Sequence, residues 1–544
     1  MKTKIYLPVV CIGCLLQITN IQAQSFILYG DKTFGGDQLE MSQNILYDGN
    51  DNFIIGGFSA TNINGDKTDS LCDPAFEDIW ILKIDTAFNI IWQNSMGGES
   101  FDLFPRMSFL TGQEAIVFSN SADSDSASCD KSENNRGSRD YWVCLVDSSG
   151  NKLWDKTLGG FDQDHGPCIV QLSTGKYIVS GSSNSTIGGD KTVLNNGSSD
   201  FWTLKLDSLG NKLWDKVYGG TDQEMEGSND EFSVLACSGD DFILAGVTLS
   251  PISGDVSDSS RGLEDIWIIK CDSSGNKKWD RRFGGSSNDR PAHIINTIDN
   301  GFILCGNTSS PQDGDVSEPP RGSADWWVIK MDSLGNKQWD RRYGGNQWDR
   351  SYFIKEVAGE GYWICGGTSS DSSFEVSEPT YGFGDFWMLK IDSVGNKLWD
   401  KRFGANGTDM LINFVILPDT SIVLCGYADS GASAVKTDVG KGGYDYWLVH
   451  FKYGYNTVSV NELTNPNNSV TVFPNPAQDI INITSTQNFT ADLFVLYDAT
   501  GRKVIEQKIN KTATVNVSQL RQGIYFYEVR DREGRKVYGK LIKR

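Results

Sequence analysis

Asp325-Trp-Trp-Val-Ile-Lys-Met-Asp-Ser-Leu-Gly-Asn-Lys-Gln-Trp-Asp-Arg-Arg-Tyr-Gly-Gly345 is the most recognisable part of one repeating unit. Its first half alternates apolar and polar residues, the period of a half-buried strand. Asp332-Ser-Leu-Gly-Asn336 is a turn with Gly where a positive φ is needed. A second strand follows and stops at the Gly-Gly pair. The Asp-x-Trp opening recurs at Asp78-Trp80, Asp140-Trp142, Asp200-Trp202, Asp265-Trp267, Asp325-Trp327, Asp385-Trp387 and Asp445-Trp447, with steps of 62, 60, 65, 60, 60 and 60 residues. Between one Gly-Gly pair and the next Asp-x-Trp lies a hairpin, such as Ala292 to Asn296, a turn at Asp299-Asn-Gly301, and Phe302 to Cys305. Four strands per unit of about 60 residues describe a propeller blade with one long loop.

The chain ends decide how the units close. The last unit stops after Trp447-Leu-Val-His-Phe-Lys452 without an outer strand. The missing strand stands at the front, where Phe26-Ile-Leu-Tyr-Gly-Asp-Lys-Thr-Phe-Gly-Gly36 matches Asn151 to Gly160. The expected fold is therefore all-β: a seven-bladed β-propeller closed by an N-terminal outer strand, followed by a small C-terminal β-sandwich. Closure removes open sheet ends. An open solenoid, the rival architecture, does not need this circular offset.

The 544 residues carry a formal charge of -21, which argues against a polyanion such as nucleic acid as partner. From Tyr455 onward the charge is +4, leaving -25 on the rest. Lys2 and Lys4, the apolar run Ile5 to Leu16, and Ile21-Gln22-Ala23 read as an export signal over residues 1–23. A lipoprotein signal using Cys14 is the alternative. No stretch is long and apolar enough for a membrane span. Two of the 11 Cys lie in that signal, and nine remain. Cys305, Cys365 and Cys425 occupy equivalent strand positions as small core fillers. Cys72 and Cys129 fall in the long loops of neighbouring units, where a disulfide is possible. With three His and no Cys-x-x-Cys in the mature chain, a zinc site is not expected.

The units resemble the roughly 60-residue propeller repeats of exported bacterial proteins, a resemblance that speaks to fold and hardly to function. The tail is more specific. Val472-Phe-Pro-Asn-Pro-Ala477, Leu496-Tyr-Asp-Ala-Thr-Gly-Arg-Lys-Val504, Val515 to Tyr525 and the terminal Gly539-Lys-Leu-Ile-Lys-Arg544 are similar to the C-terminal sorting domain of type IX secretion substrates. The resemblance implies a partner, the type IX machinery acting through residues 469–544, and a protein that is secreted or held at the outer-membrane surface. The expected domains are residues 24–454 (propeller), 455–468 (linker) and 469–544 (sorting domain).

With four strands running outward, the Gly-Gly turns and the long loops share one face, which is the expected binding face. Four residues past the second Gly stands an acid in every unit: Glu40, Asp102, Asp164, Glu224, Asp289, Asp349 and Asp409. They are candidate ligand-binding residues ringing a channel mouth, with a cation among them to relieve their repulsion. The alternative is that each caps its own turn through backbone N–H groups. Most of the 16 Trp repeat with the units and serve packing, whereas Trp348 stands alone in a Gly-Gly loop. Trp348 is the first choice for a stacking contact and Tyr381 the second. Asp123-Ser-Asp125 and Asp313-Gly-Asp315 are acidic fragments without a complete calcium loop, so no cofactor is expected, with a bound cation such as calcium as the alternative. No nucleophile elbow, metal cluster, P-loop or singled-out carboxylate pair marks a catalytic residue. The expected function is a surface or secreted binding protein for a glycan, protein or envelope ligand; the alternatives are an enzyme acting on extracellular polysaccharide and a structural surface component.

Overall fold

The computed structural model describes residues 24–109, 115–123, 126–225, 232–429, 431–455, 470–485, 489–498 and 502–544. The expected export signal at 1–23, and all of the linker but residue 455, lie outside these. The chain divides into two compact units, one spanning Ile27–Lys452 and the other containing Tyr453–Arg544.

Ile27–Lys452 is all-β, with no α-helix among the described residues. Its strands form seven antiparallel sheets, numbered I to VII here from residues 40–96, 102–158, 164–218, 224–283, 289–343, 349–403 and 409–455. Sheet V is representative, with strands a to d at Asp289–Asn296, Phe302–Thr308, Asp325–Met331 and Lys337–Tyr343. Strand a of sheet IV comes in two pieces, Glu224–Met225 and Ser233–Ala236, both paired with Phe242–Thr248. Sheet VII takes three strands from its own segment, and its fourth is Gln24–Phe34 from the start of the chain.

The Asp-x-Trp signature and the Trp-Asp pair of the outer strand meet in one hydrogen bond. Every c-strand Trp of the signature is fully buried. Its indole N–H donates to a d-strand carboxylate: Trp142 to Asp155, Trp202 to Asp215 and Trp267 to Asp280 at 3.1 Å, and Trp327 to Asp340 at 3.0 Å. In sheet I, Gln93 replaces the acid. The same carboxylates accept a backbone N–H from the long loop, as Asp280 does from Ser257 at 2.9 Å. One group thus joins strand c, strand d and the loop, satisfying donors that burial would otherwise strand. The d-strand Trp then packs on the next sheet. A β-carbon on Gly150, Gly210 or Gly335 would lie 2.8 to 2.9 Å from the ring of Trp92, Trp154 or Trp279. With φ of +76° to +83° as well, these turns admit only glycine in practice.

The N-terminal strand obeys the same rule. Trp447 donates to Asp31 at 2.9 Å, and the Thr437 N–H reaches the same carboxylate. Sheet I in turn meets sheet VII, where Ser42 Oγ donates to the Gly426 carbonyl and Asn413 Nδ2 to Asn44 Oδ1.

Tyr453–Arg544 is a two-sheet sandwich. Val470–Phe473, Ile480–Ser485 and Thr512–Asn516 form one sheet; Lys503–Lys508, Ala491–Tyr497, Gly523–Asp531 and Lys536–Lys543 form the other. Ile481, Ile483, Phe494, Leu496, Val515, Val529 and Leu541 make its core.

Replacing Asp31 by Ala leaves the Trp447 indole and a loop N–H without their acceptor. The expected loss is about 1–3 kcal/mol of unfolding free energy, read by denaturant titration. Asp147→Ala, in an exposed turn, serves as the comparison and is expected to cost less.

Candidate functional site

All seven sequence-singled acids are fully buried at the start of strand a. Each accepts the backbone N–H four residues before it, on the second residue of the Gly-Gly turn. Gly36 donates to Glu40, Gly160 to Asp164 and Gly220 to Glu224 at 2.8 Å; Gly98 donates to Asp102, Gly285 to Asp289, Gly345 to Asp349 and Ala405 to Asp409 at 2.7 Å. Strand-b side chains add further bonds, among them Ser59 to Glu40 and Thr248 to Glu224.

Each acid also faces the Asp of the preceding sheet's Asp-x-Trp. A β-carbon on Gly284 would lie 1.9 Å from Asp265 Oδ1 and 3.1 Å from Asp289 Oδ2, so the first Gly of the turn is the space two carboxylates occupy. Corresponding pairs are Asp78 with Asp102, Asp140 with Asp164, Asp325 with Asp349, and Asp445 with Glu40. The Asp-x-Trp carboxylates tie down the long loop as well, accepting N–H groups from Arg261, Arg321, Tyr381 and Lys441. Burial first, then the like charge alongside, pushes Asp102 up to about 7 and Asp140, Asp289, Asp325 and Asp445 up to about 6. Burial likewise raises Asp78 to about 6 and Glu224 to about 7.

A basic group sits against these acids in every sheet, and the protein supplies it in two ways. Lys67, Lys131, Lys191 and Lys436 come from the long loop and are all buried. Where the loop instead carries Val256, Val316 or Val376, the outer strand carries a buried Arg. Arg282 lies 2.6 Å from Asp265, Arg342 3.6 Å from Asp325, and Arg402 3.3 Å from Asp385. The outer-strand position opposite the loop lysines holds Ser95, Thr157, Val217 and Thr33. Thr33 lies on the N-terminal strand of sheet VII at the position that matches Ser95 and Thr157, so that strand follows the exchange like any other. Among the described residues no cluster of three or more His, Cys, Asp or Glu is arranged to hold a metal.

The long loops take one form on this face. Asp66, Asp130, Asp190, Asp255, Asp315, Glu375 and Val435 each donate their backbone N–H to the first residue of a Gly-Gly turn. Successive loops are then latched: Arg136 to Asp190 at 3.0 Å, Arg261 to Asp315 at 2.5 Å, Arg321 to Glu375 at 2.8 Å, and Lys441 to Asp66. Between sheets I and II the latch is covalent, a disulfide joining Cys72 and Cys129. Tyr381 occupies the latch position of sheet VI; it is half-buried and its N–H donates to Asp385 at 3.0 Å.

Trp348 lies elsewhere on the face, between sheets V and VI, and is 39% exposed. It borders a pocket of about 190 Å³ lined by Asn288, Arg290, Asn307, Ser309, Ala324 and Arg350 as well. Tyr381 is not among its lining residues. The two arginines are functional candidates that sequence reasoning passed over. Their signal was present: the residue after the strand-a acid is Met41, Leu103, His165, Met225, Arg290, Arg350 or Met410, so four units are apolar there and two consecutive units carry an Arg. A second cavity, of about 170 Å³, is bordered by strand-a residues of all seven sheets, including Asn44, Met107, Cys168, Val234, His293, Phe353 and Asn413. Burial pushes His293 there down to about 4.

Residues 471–544 match the secretion system C-terminal sorting domain. This type IX signal addresses the chain to the cell surface or extracellular space by way of that machinery. Among the described residues no helix is long and apolar enough to cross a membrane. No curated protein matches the chain. Among solved structures, the chain is similar to the extracellular domain assigned to a hybrid two-component system from B. thetaiotaomicron, at 8% identity and a TM-score of 0.36, covering 96% of this chain and 58% of that one. It is also similar to a glycoside hydrolase family 43 arabinoxylan arabinofuranohydrolase from Bacillus subtilis (10% identity, TM-score 0.28, 78% of this chain and 96% of that one). A third is Trypanosoma rangeli sialidase (8% identity, TM-score 0.31, 84% and 87%).

Two outcomes follow from the buried acids. A carboxyl raised in the fold favours folding fully below its unfolded pKa of 3.8, and that contribution is lost as pH rises through the folded value of about 6 to 7. His293, lowered to about 4, and Lys67 and Lys191, lowered to about 8, act the other way but are outnumbered. The thermal midpoint of the sheet unit is therefore expected to be higher at pH 5.5 than at pH 7.5 by calorimetry. Second, Arg402→Thr strands buried acids and is expected to cost about 3–5 kcal/mol. Adding Val376→Lys, which rebuilds the arrangement of Lys436 and Thr33, is expected to recover most of that loss.

Proposed function

We propose that the chain is a type IX-exported binding protein, secreted or displayed on the outer-membrane surface, whose propeller holds its ligand on the face of the Gly-Gly turns. The single observation behind this is the pocket at Trp348. There an exposed Trp stands beside two Arg, and no other unit has an Arg directly after its strand-a acid. The fourteen repeated carboxylates, by contrast, are buried and bonded within their turns, where no substrate reaches them without opening the sheet junction. Under this proposal they build the scaffold, and binding falls to positions where one unit departs from the rest.

The scaffold is taken as a closed ring of seven blades over residues 24–454, with 1–23 as the export signal, 455–468 as linker and 469–544 as sorting domain. Four observations support closure: the seven sheets, the N-terminal strand in sheet VII, the Lys441–Asp66 latch between last and first loops, and the cavity bordered by all seven a strands. The ligand classes considered are glycan, protein and envelope component, and glycan is favoured by the exposed indole.

On a glycan array the intact chain is expected to bind a restricted set of glycans. Trp348→Ala is expected to weaken that binding about tenfold or more. Substitutions at Leu209 and Leu334, exposed in the turns joining strands c and d, are expected to leave it unchanged. The opposite pattern places binding on the other face. Turnover of a polysaccharide panel without binding favours the enzyme alternative.

A further inference from the structure

Sheet I departs from the others where its strand a borders the cavity of about 170 Å³. The residue three past the strand-a acid is Gln43, Pro105, Pro167, Gly227, Ala292, Tyr352 or Ile412, so only sheet I places an amide there. The pairing register breaks between Ser42 and Asn44, which makes Gln43 a bulge residue, and a bulge re-aims its side chain. Gln43 is 3% exposed, its Oε1 is buried without a partner, and no hydrogen bond reaches its side chain among the described residues. The neighbouring amides are paired. Asn44 Nδ2 donates to the Met107 carbonyl at 3.1 Å, and Asn413 Oδ1 accepts the Phe414 N–H at 2.7 Å. A buried amide costs stability unless something bonds to it, and nothing in the described chain bonds to Gln43.

His293, from sheet V, presents the second unpaired group to the same cavity. Its ring stacks on Phe353 with centroids 4.3 Å apart, and its Nδ1 lies 3.2 Å from the Ile354 carbonyl. Burial keeps the imidazole neutral at physiological pH, so with Nδ1–H donating to that carbonyl Nε2 is an acceptor. Nε2 has no partner among the described residues. No Asp or Glu lines the cavity to receive a cation, and a neutral acceptor repels an anion. Arg106 also borders it but has interactions of its own. More than half of the lining is apolar, Met107, Phe232 and Ile412 included, which suits a ligand with C–H groups better than water alone. We propose that this cavity is a second binding site, taking one small neutral polyol whose hydroxyls pair with Gln43 and His293. A hydroxyl both donates and accepts, so it serves whichever end of the Gln43 amide turns to it and donates to Nε2 of His293. The volume is that of about five or six waters, room for a four-carbon polyol and too little for a disaccharide. The site shares no lining residue with the pocket at Trp348.

The test is isothermal titration of the full chain with erythritol, its acid erythronate, 1,4-diaminobutane and 1-butanol. Erythritol is expected to bind about tenfold or more tightly than the other three, which either bring a charge without a counter-charge or leave a polar group of the site unpaired. Gln43→Leu and His293→Phe are each expected to weaken erythritol binding about tenfold or more. Without ligand, Gln43→Leu is expected to raise the thermal midpoint, because it removes an unpaired amide from the interior. A lower midpoint marks Gln43 as a structural group and overturns the inference. On the glycan array Gln43→Leu is expected to bind as the intact chain does, and loss of that binding overturns the separation of the two sites. Equal affinity for any of the other three compounds overturns the neutral-polyol assignment. Erythritol binding that survives both substitutions overturns the site itself. If none of the four binds, solvent alone occupies the cavity and the inference fails, while the reading of the Trp348 face stands.

Discussion

Two carboxylates pressed against one glycine, with a single cation near them, constrain each junction between sheets. Two buried acids repel, and desolvation penalises each of them, so neither persists in the interior without compensation. The compensation is a backbone N–H donor from the turn and one buried Lys or Arg in every sheet, with strand-b side chains added in several, such as Ser59, Asn120 and Thr248. The Gly-Gly turn follows, because Gly284 and its equivalents have no room for a side chain beside Asp265 and Asp289. The common loop shape follows too, since the loop must either carry the lysine inward or pack a valine beneath an arginine.

This constraint separates construction from function. The repeated acids look like a binding constellation in one dimension, because seven carboxylates at one repeat position suggest convergence. In three dimensions each is enclosed by its own turn and paired with one Asp of the neighbouring sheet. What remains available to a ligand is the set of positions that the junction does not govern. Residues flanking the strand-a acids are such positions, and there Trp348, Arg290 and Arg350 stand out from their counterparts. Tyr381 stands at a different kind of position, one that in other sheets holds a latch such as Arg321 to Glu375.

Much of the architecture was legible in the residues. The Trp spacing gave strand count per unit, and the match of Phe26–Gly36 to a later outer strand anticipated Gln24–Phe34 beside Asp445–Tyr455. The tail blocks from Val472 to Arg544 pointed to the sorting domain that residues 471–544 match. The site was less legible. The exchange of Lys67, Lys131, Lys191 and Lys436 for Arg282, Arg342 and Arg402 is written in the aligned units. It has no meaning until a loop residue and an outer-strand residue are seen to serve the same acids. The two arginines were equally visible, but a basic residue on an acidic chain gives no reason to single it out until its neighbours are known.

By itself the sequence determined whatever is periodic or local: the strands, from alternation at a 60-residue repeat; the turns, from Gly at positive φ; and the export address, from the terminal blocks. Only the tertiary structure decided which charges are buried together and which face solvent. Burial of a charge depends on residues brought together from distant parts of the chain, such as Lys441 and Asp66 or Glu264 and Arg290. The same carboxylate is a ligand candidate when counted along the chain and a structural group when its partners are present. The physical reason is that desolvation and pairing, which set its role, are properties of the assembled junction.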